Sequence, residues 1–381
     1  MTIDRRIPGT VWAVVAAMCV FWVLQAIMIL PGARGHDFLN IYSGASLAGE
    51  GRYAELHNVD VQLAREQQFY PDRTELVPFV RPAFYAWMLS PLRMLSYQSA
   101  FVLWIAAQSA LLLATWVWAW WRFGGNALVF VVMFLPAPVG IATGQDCTVM
   151  LALFALSYEL SERKMEFAGG AALALMLIKF HLVMLWPLAL LVQKRWKMLA
   201  GYVAAASVEV GMTLWLAGIA GARQYAALLQ NSSLERLSPT PELMLSFQGF
   251  MENAGINSTA ATVVLLGLVV AAFVAAARNA PLWRLFALTG LASLFITPHV
   301  YVYDAALLLV PILLTIQYST TPYTKVAATL FSTPLPYLLA WAGKPYSIAS
   351  SASVLIVFLL IASESLGESD PAGLPALPSE V

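Results

Sequence analysis

The sequence predicts an all-α polytopic integral membrane protein with about 12 transmembrane helices, and three observations lead there. Hydrophobic residues make up 60% of the 381-residue chain, charged residues only 11%, and mean hydropathy is +0.73. Soluble domains carry roughly 25% charged residues, so a soluble enzyme of two or three domains is excluded. Disorder needs low hydrophobicity and is excluded as well. Long apolar runs recur along almost the whole chain, and Lys and Arg fall at alternate connections between them, the bias that orients membrane helices. Thirteen Trp and 14 Tyr suit many membrane–water interfaces. The 21 basic and 21 acidic residues cancel, so no global field recruits nucleic acid.

Residues 11–30 are long enough for a first span. Arg5 and Arg6 precede it as in a signal peptide, but Pro31-Gly32-Ala33-Arg34 only loosely resembles a cleavage site, so the span is read as uncleaved. Further runs cover 98–121, 126–141, 146–161, 167–193 (a hairpin or broken pair), 196–217, 257–277, 282–297, 300–318, 323–341 and 346–363. Several are shorter than a straight span, as where helices end at a cavity within membrane depth. Arg5/Arg6, Arg122, Arg163/Lys164, Lys194/Arg195/Lys197, Arg278/Arg284 and Lys325 are assigned to the cytoplasm, with both termini inside. The opposite connections are then almost free of Lys and Arg, Lys344 being the exception. Residues 82–95 would invert this order if they crossed, so they are read as an outer interfacial or re-entrant helix.

The organisation is one transmembrane domain, residues 1–363, with a disordered cytoplasmic tail over 364–381. Two outer loops, 31–97 and 218–256, belong to that domain, and the first holds seven of the 21 acidic residues. In it Tyr53, Leu56, Val59 and Leu63 recur at helical spacing while Glu55, Asp60 and Glu66 face elsewhere, which predicts an amphipathic helix on the membrane. The second loop is polar and turn-rich around Ser238-Pro239-Thr240-Pro241. Cys19 and Cys147 are read as small packing residues, and no Cys/His spacing suggests a metal site. No inverted halves are visible, which weakens the commonest transporter plan.

Ionisable groups at membrane depth are costly unless paired or used, and here they gather on one side. His36-Asp37 follows the first span, Arg81-Pro82 opens the re-entrant segment, and Gly144-Gln145-Asp146 joins two short runs. Lys179-Phe180-His181 sits at a helix break, and Thr297-Pro298-His299 precedes Tyr301, Tyr303 and Asp304. Each also has a structural reading. Asp37, Gln145 and Asp146 can cap helices, and Arg81 and Lys179 can snorkel to headgroups. His181, His299 and Asp304 can serve helix packing. Their common sidedness is what favours a site.

One strongly placed carboxylate with several cations and no matched second acid does not resemble a hydrolytic glycosidase. It suits transfer from a phosphate-linked donor. A phosphate leaving group needs charge stabilisation and no general acid, and a single carboxylate can take the acceptor proton. The chain has no Asp-x-Asp pair, Gly-rich phosphate loop, Gly-x-Ser-x-Gly elbow or His-Glu-x-x-His motif, so a lipid phosphate sugar fits better than a nucleotide sugar.

These residues in this order resemble a known family. His36-Asp37-Phe38 is followed by Tyr42, Ala45 and Gly51-Arg52-Tyr53. Phe84-Tyr85 with Pro82 and Pro91 comes next, then Gly144-Gln145, Ile178-Lys179 before Pro187, and Thr297-Pro298-His299 leading to Tyr303-Asp304. Over about residues 11–318 the chain resembles glycosyltransferase family 87, the polyprenol-phosphate-mannose-dependent α-mannosyltransferases of the membrane-embedded C-type superfamily. The resemblance implies a C-type glycosyltransferase fold with extracytoplasmic loop helices and an active site outside the cytoplasm. It implies an inverting, metal-independent hexosyltransferase without cofactor, with Asp37 as base and His299 near the donor phosphate. Family members often carry Tyr-Pro-Pro where this chain reads Val80-Arg81-Pro82, which puts the pocket near Arg81 in question.

The expected activity is transfer of a hexose, read as mannose, from a polyprenyl-phosphate donor to a lipid or glycan hydroxyl, in a bacterial inner membrane with the site facing the periplasm or exterior. Its partners are donor, acceptor and membrane lipids, with no nucleic acid. Arg81 and Lys179 are assigned to the phosphate from charge and sidedness, His299 as the resemblance implies, and Gln145 and Tyr303 to sugar or phosphate oxygens. His36, Asp146, His181 and Asp304 are secondary candidates. The alternative is a secondary transporter or lipid flippase with Asp146, Lys179 and Asp304 as a coupling path.

Overall fold

The apolar runs become helices whose starts are written in the sequence. The computed structural model describes residues 6–20, 36–71, 76–230 and 240–367, and among them regular structure is helical apart from one isolated bridge, Met244 to Tyr301. The first helix, α1, covers Gly9–Val20; the rest of the expected first span lies outside the described residues. The first loop folds into α2 (His36–Gly49), α3 (Val59–Phe69) and α4 (Ala83–Leu89), with 3-10 turns at Tyr53–Glu55 and Ser90–Met94. Then come α5 (Tyr97–Phe123), α6 (Ala127–Met133), α7 (Pro136–Thr143), α8 (Cys147–Glu162) and α9 (Glu166–Ala174), which continues as a 3-10 segment to Val183. After α10 (Trp186–Val192) and α11 (Trp196–Gln230) follow α12 (Phe247–Asn253), α13 (Thr259–Ala277) and α14 (Leu282–Ile296). A 3-10 turn, Val302–Leu308, leads into α15 (Leu309–Tyr318), and the fold closes with α16 (Pro322–Ser332), α17 (Leu335–Trp341) and α18 (Ser347–Gly367). Ser96 caps α5 and Ser258 caps α13 by accepting from backbone N–H groups that a first turn leaves unpaired. Prolines open α7 and α16, where their missing N–H is harmless.

Five stretches are long and apolar enough to cross a membrane: Tyr97–Phe123, Glu166–Val183, Trp196–Gln230, Thr259–Ala277 and Ser347–Gly367. The shorter helices pack among them. Phe154 of α8, Trp186 of α10 and Phe286 of α14 meet at the centre, with Trp186 and Phe286 4.6 Å apart between ring centroids. Where α9 crosses α11, a Cβ at Gly170 would collide with the Met198 carbonyl and one at Gly201 with the Phe167 carbonyl. Only glycine permits that backbone approach.

Contacts between distant segments define two ends. At one, Arg122 of α5 bonds Glu162 of α8 at 2.8 Å, Arg195 bonds Glu166 of α9 at 2.8 Å, and Arg284 of α14 reaches Glu364 of α18 at 3.3 Å. These are residues expected at the basic, cytoplasmic connections. At the other end lie Asp146 before α8, Lys179, Thr297 after α14, and Asp304 before α15. Each of α8, α9, α14 and α15 therefore runs from one set to the other.

Several expectations need correcting. The predicted amphipathic helix is broken between Glu55 and Val59, and α3 buries Gln62, Arg65 and Glu66 rather than an apolar stripe. Glu66, expected to face outward, is fully buried, and Arg65 is held by Glu50 at 2.5 Å and Ser46 at 3.0 Å. Loop helices packed on one another reward internal polar pairing, which periodicity alone does not reveal. The second loop begins as helix: α11 runs on to Gln230 past a break at Gly218, whose φ is 65°, and Ser238-Pro239 lies outside the described residues. The tail does not begin at Glu364. That residue is buried in α18, where Ser319 donates to it at 2.6 Å and the Thr320 N–H at 2.8 Å, and residues 368–381 lie outside the described residues. Residues 83–94 form only α4 and a 3-10 turn, far short of the roughly 20 helical residues a crossing needs.

Candidate active site

The site is built on a tight turn. Gly144 ends α7 in the left-handed region, φ 84°, while the Gln145 N–H returns to the Gly140 carbonyl at 2.8 Å. That closure is the usual helix stop, and glycine takes it without a Cβ penalty. Trp104 of α5 donates to the Gly144 carbonyl at 2.9 Å, fixing the turn from outside. Phe38 lies directly over Gly144, where a Cβ would come within 2.6 Å of the Phe38 Cβ. The first turn of α2 is thus seated on the turn that presents Gln145 and Asp146.

Asp146 is fully buried and makes no cap bond to α8, so its structural reading as a cap does not describe it. Arg81 grips it with Nε at 3.0 Å and Nη2 at 3.1 Å, a two-point pairing with the carboxylate. Arg81 Nη2 also donates to Gln145 Oε1 at 3.0 Å, and Nη1 faces Asn40 Oδ1 at a long 3.5 Å. Lys179 occupies the break in the α9 continuation, with φ −125° and ψ 64°. Its ammonium meets Asp304 Oδ1 at 2.7 Å, Gln145 Oε1 at 3.0 Å and Asp146 Oδ1 at 3.1 Å. An ammonium has three donors, and these three oxygens use them all. Both cations are buried, so neither snorkels to a membrane surface. The other Asp304 oxygen accepts the Tyr301 N–H at 3.1 Å, and the Tyr303 ring lies 5.4 Å from the Lys179 nitrogen.

Asp37, in the first turn of α2, is half-buried and lies next to Phe38, which is seated on the Gly144 turn that presents Gln145. Burial pushes the Asp37 carboxyl up from the ordinary value, opposed by the Gln145 side chain and the charges of Arg81 and Lys179 and reinforced by Asp304. Thr297 donates to the His181 carbonyl at 2.7 Å, joining two of the expected segments, and His181 lies in the field of Asp304 and Lys179. The second loop meets the same end: Ser246 donates to the Pro298 carbonyl at 2.7 Å and the Leu245 N–H to the Val300 carbonyl at 2.8 Å. His299 sits half-buried between them.

The fold therefore gathers Asp37, Arg81, Gln145, Asp146, Lys179, Tyr303 and Asp304 from five separate segments. His181 and His299 stand beside that group, while the His36 side chain lies outside the described residues. Sequence reasoning missed three supporting residues. Asn40 follows Asp37 by three positions, one helical turn on the same face, and could have been found that way. His57 bonds the Arg81 carbonyl through Nε2 at 2.8 Å and stacks on Tyr225 at 4.3 Å, while Tyr225 donates to the Val80 carbonyl at 3.1 Å. Neither shows a local signal, because α11 and the first loop meet only in the folded chain. Among the described residues no group of three or more His, Cys, Asp or Glu is arranged to hold a metal ion.

The family model described as glycosyltransferase family 87 matches residues 79–298, more than half of the chain. The chain belongs to glycosyltransferase family 87. No curated protein and no solved structure matches it significantly. The match contains Arg81, Gln145, Asp146, Lys179 and His181. Asp37 precedes it, and His299, Tyr303 and Asp304 follow its last residue closely. Membership of family 87 indicates sugar transfer, which weighs against the transport alternative even though Asp146, Lys179 and Asp304 do meet.

Proposed function

We propose that this family 87 protein transfers a hexose, read as mannose, from a polyprenyl phosphate to a hydroxyl of a lipid or glycan, inverting the anomeric centre, with Asp37 as general base. The observation that carries the reading is the contrast among three neighbouring carboxylates. Asp146 and Asp304 are engaged by cations, whereas Asp37 faces an amide and remains half-buried. A carboxylate raised by burial and held beside cations suits proton abstraction near neutrality. In the step, the acceptor oxygen bonds to the anomeric carbon and its proton passes to Asp37. The bond from that carbon to the phosphate oxygen breaks, and the electron pair leaves on the phosphate.

Arg81 and Lys179 supply the positive field for that charge, with His299 placed near the phosphate. Arg81 can offer Nη1, whose contact with Asn40 is long, while Lys179 acts by charge from behind Gln145 and Tyr303 lines the approach. The reading requires no metal or other cofactor. It places the site outside the cytoplasm of a bacterial inner membrane, with about 12 spans alternating between the two ends, donor and acceptor entering beside membrane lipids. The alternation of α8, α9, α14 and α15 and the basic residues at the far end support that orientation.

The test uses purified protein in lipid nanodiscs and a labelled polyprenyl-phosphate hexose. Asp37→Asn keeps donor binding and loses transfer by at least 10²-fold. Wild-type turnover in that variant removes Asp37 from the mechanism.

A further inference from the structure

The reading above leaves Gln145 among groups that touch sugar or phosphate oxygens. Its hydrogen bonds suggest a different role. Gln145 is buried, and its Oε1 receives Arg81 Nη2 at 3.0 Å and Lys179 Nζ at 3.0 Å. Arg and Lys side chains only donate, so two cations converging on one atom require an oxygen there. They therefore fix which way the amide points and leave its NH2 group facing away from them. Asp37 is brought beside Gln145 by the seating of Phe38 on Gly144, and the Gln145 side chain is among the groups that favour its charged form. The cations cannot turn away from this task easily. Arg81 is locked to Asp146 by two bonds, and Lys179 has all three donors engaged.

We propose that Gln145 is the positioning residue of Asp37: the Arg81–Lys179 pair locks its carbonyl oxygen, and its amide N–H holds the Asp37 carboxylate with one oxygen directed at the acceptor. The proposal rests on Asp37 being the base. In it, Arg81, Lys179, Asp146 and Asp304 form a prebuilt frame that reaches the reaction through this amide. The frame explains why two cations expected to meet phosphate are so fully engaged with protein oxygens. The groups facing Asp37 are Arg81, Lys179, Asp304, Tyr301 and Tyr303 besides Gln145.

The test is the pH dependence of kcat and the donor KM for Gln145→Glu and Gln145→Met in nanodiscs. Glu keeps two oxygens for Arg81 and Lys179 but sets a carboxylate against Asp37. Its kcat falls by about 10²-fold, its donor KM changes less than about threefold, and the acid limb of its kcat profile moves to higher pH by about one unit or more. Met fills the space without either bond, and its kcat falls similarly with a smaller displacement of the limb. A donor KM raised tenfold or more in both variants, with kcat and the acid limb unmoved, overturns the proposal and returns Gln145 to donor binding. Measured alongside, Asp37→Asn separates the two ideas. Loss of transfer in Asp37→Asn with an unmoved limb in Gln145→Glu sinks only the positioning role. Retained transfer in Asp37→Asn sinks the base assignment beneath it.

Discussion

Lys179 and Asp304 stand 125 residues apart in sequence, and their side chains meet at 2.7 Å, both buried. Two charges withdrawn from water are tolerated when each is paired and hydrogen-bonded; removing one partner strands the other. Lys179→Met leaves Asp304 and Asp146 facing each other's charge with only Arg81 nearby, and should cost about 3–5 kcal/mol. Lys179→Met/Asp304→Asn should recover part of that loss. Thermal unfolding of the single and double variants in one detergent gives the coupling, and strictly additive effects would show that the pair contributes nothing beyond its members.

His57 provides a pH test outside the membrane-spanning segments. Burial pushes its imidazole down to about 4 from 6.5, while its Nε2–H holds the Arg81 carbonyl. The folded state therefore binds fewer protons than the unfolded state between those values. Stability from this group is complete above the unfolded value and is lost as pH falls from about 6.5 to about 4, on the order of 3 kcal/mol in full. His57→Gln keeps a donor for the carbonyl and removes the titration. Its unfolding temperature should fall less steeply than wild type across that pH window, and parallel curves would contradict the assignment.

How much of this was legible beforehand differs by level. The helical membrane class, the break at Lys179 and the sidedness of Asp37, Arg81, Gln145 and Asp304 follow from apolar runs and basic connections, because lipid imposes those patterns on the chain directly. The engagement of Arg81 and Lys179 did not follow. Whether a cation meets a ligand or an internal carboxylate depends on approaches between helices that no local spacing encodes. The first loop was misread for the same reason: α3 packs on α2, so Arg65 and Glu66 turn inward where an isolated amphipathic helix would show them to water. Glu364 was placed in the tail because acids and small residues cluster after it, yet Ser319, Thr320 and Arg284 hold it in the core.

Gly144 and Gly255 make a matched pair for a backbone experiment. Both have positive φ, 84° and 70°, but Gly144 lies under Phe38 and Gly255 has open space around its Cβ position. Gly255→Ala should cost about 1–2 kcal/mol from the left-handed conformation alone and leave transfer intact. Gly144→Ala carries the same strain and also pushes Phe38, and with it Asp37, off the turn. Its kcat should drop at least tenfold more than that of Gly255→Ala, at temperatures where both are folded. Equal activities would mean that the seating of α2 does not set the position of Asp37.

Glu209 lies in the apolar stretch of α11, only 6% exposed, and among the described residues neither of its carboxylate oxygens has a hydrogen-bond partner. Thr213, one turn further along the same face, has an unpartnered buried hydroxyl as well. A buried polar group without partners costs about 1–3 kcal/mol, and more if charged, and burial at membrane depth adds to that cost. Glu209→Met fills the same volume without the desolvation cost. It should raise the unfolding temperature in detergent by several degrees while leaving hexose transfer within about twofold of wild type, since no element of the Asp37 network passes through it. A lower unfolding temperature would mean that the carboxyl has a partner in the folded protein. Lost transfer at unchanged stability would mean that α11 contributes to the reaction through this residue, extending the site well beyond the frame around Gln145.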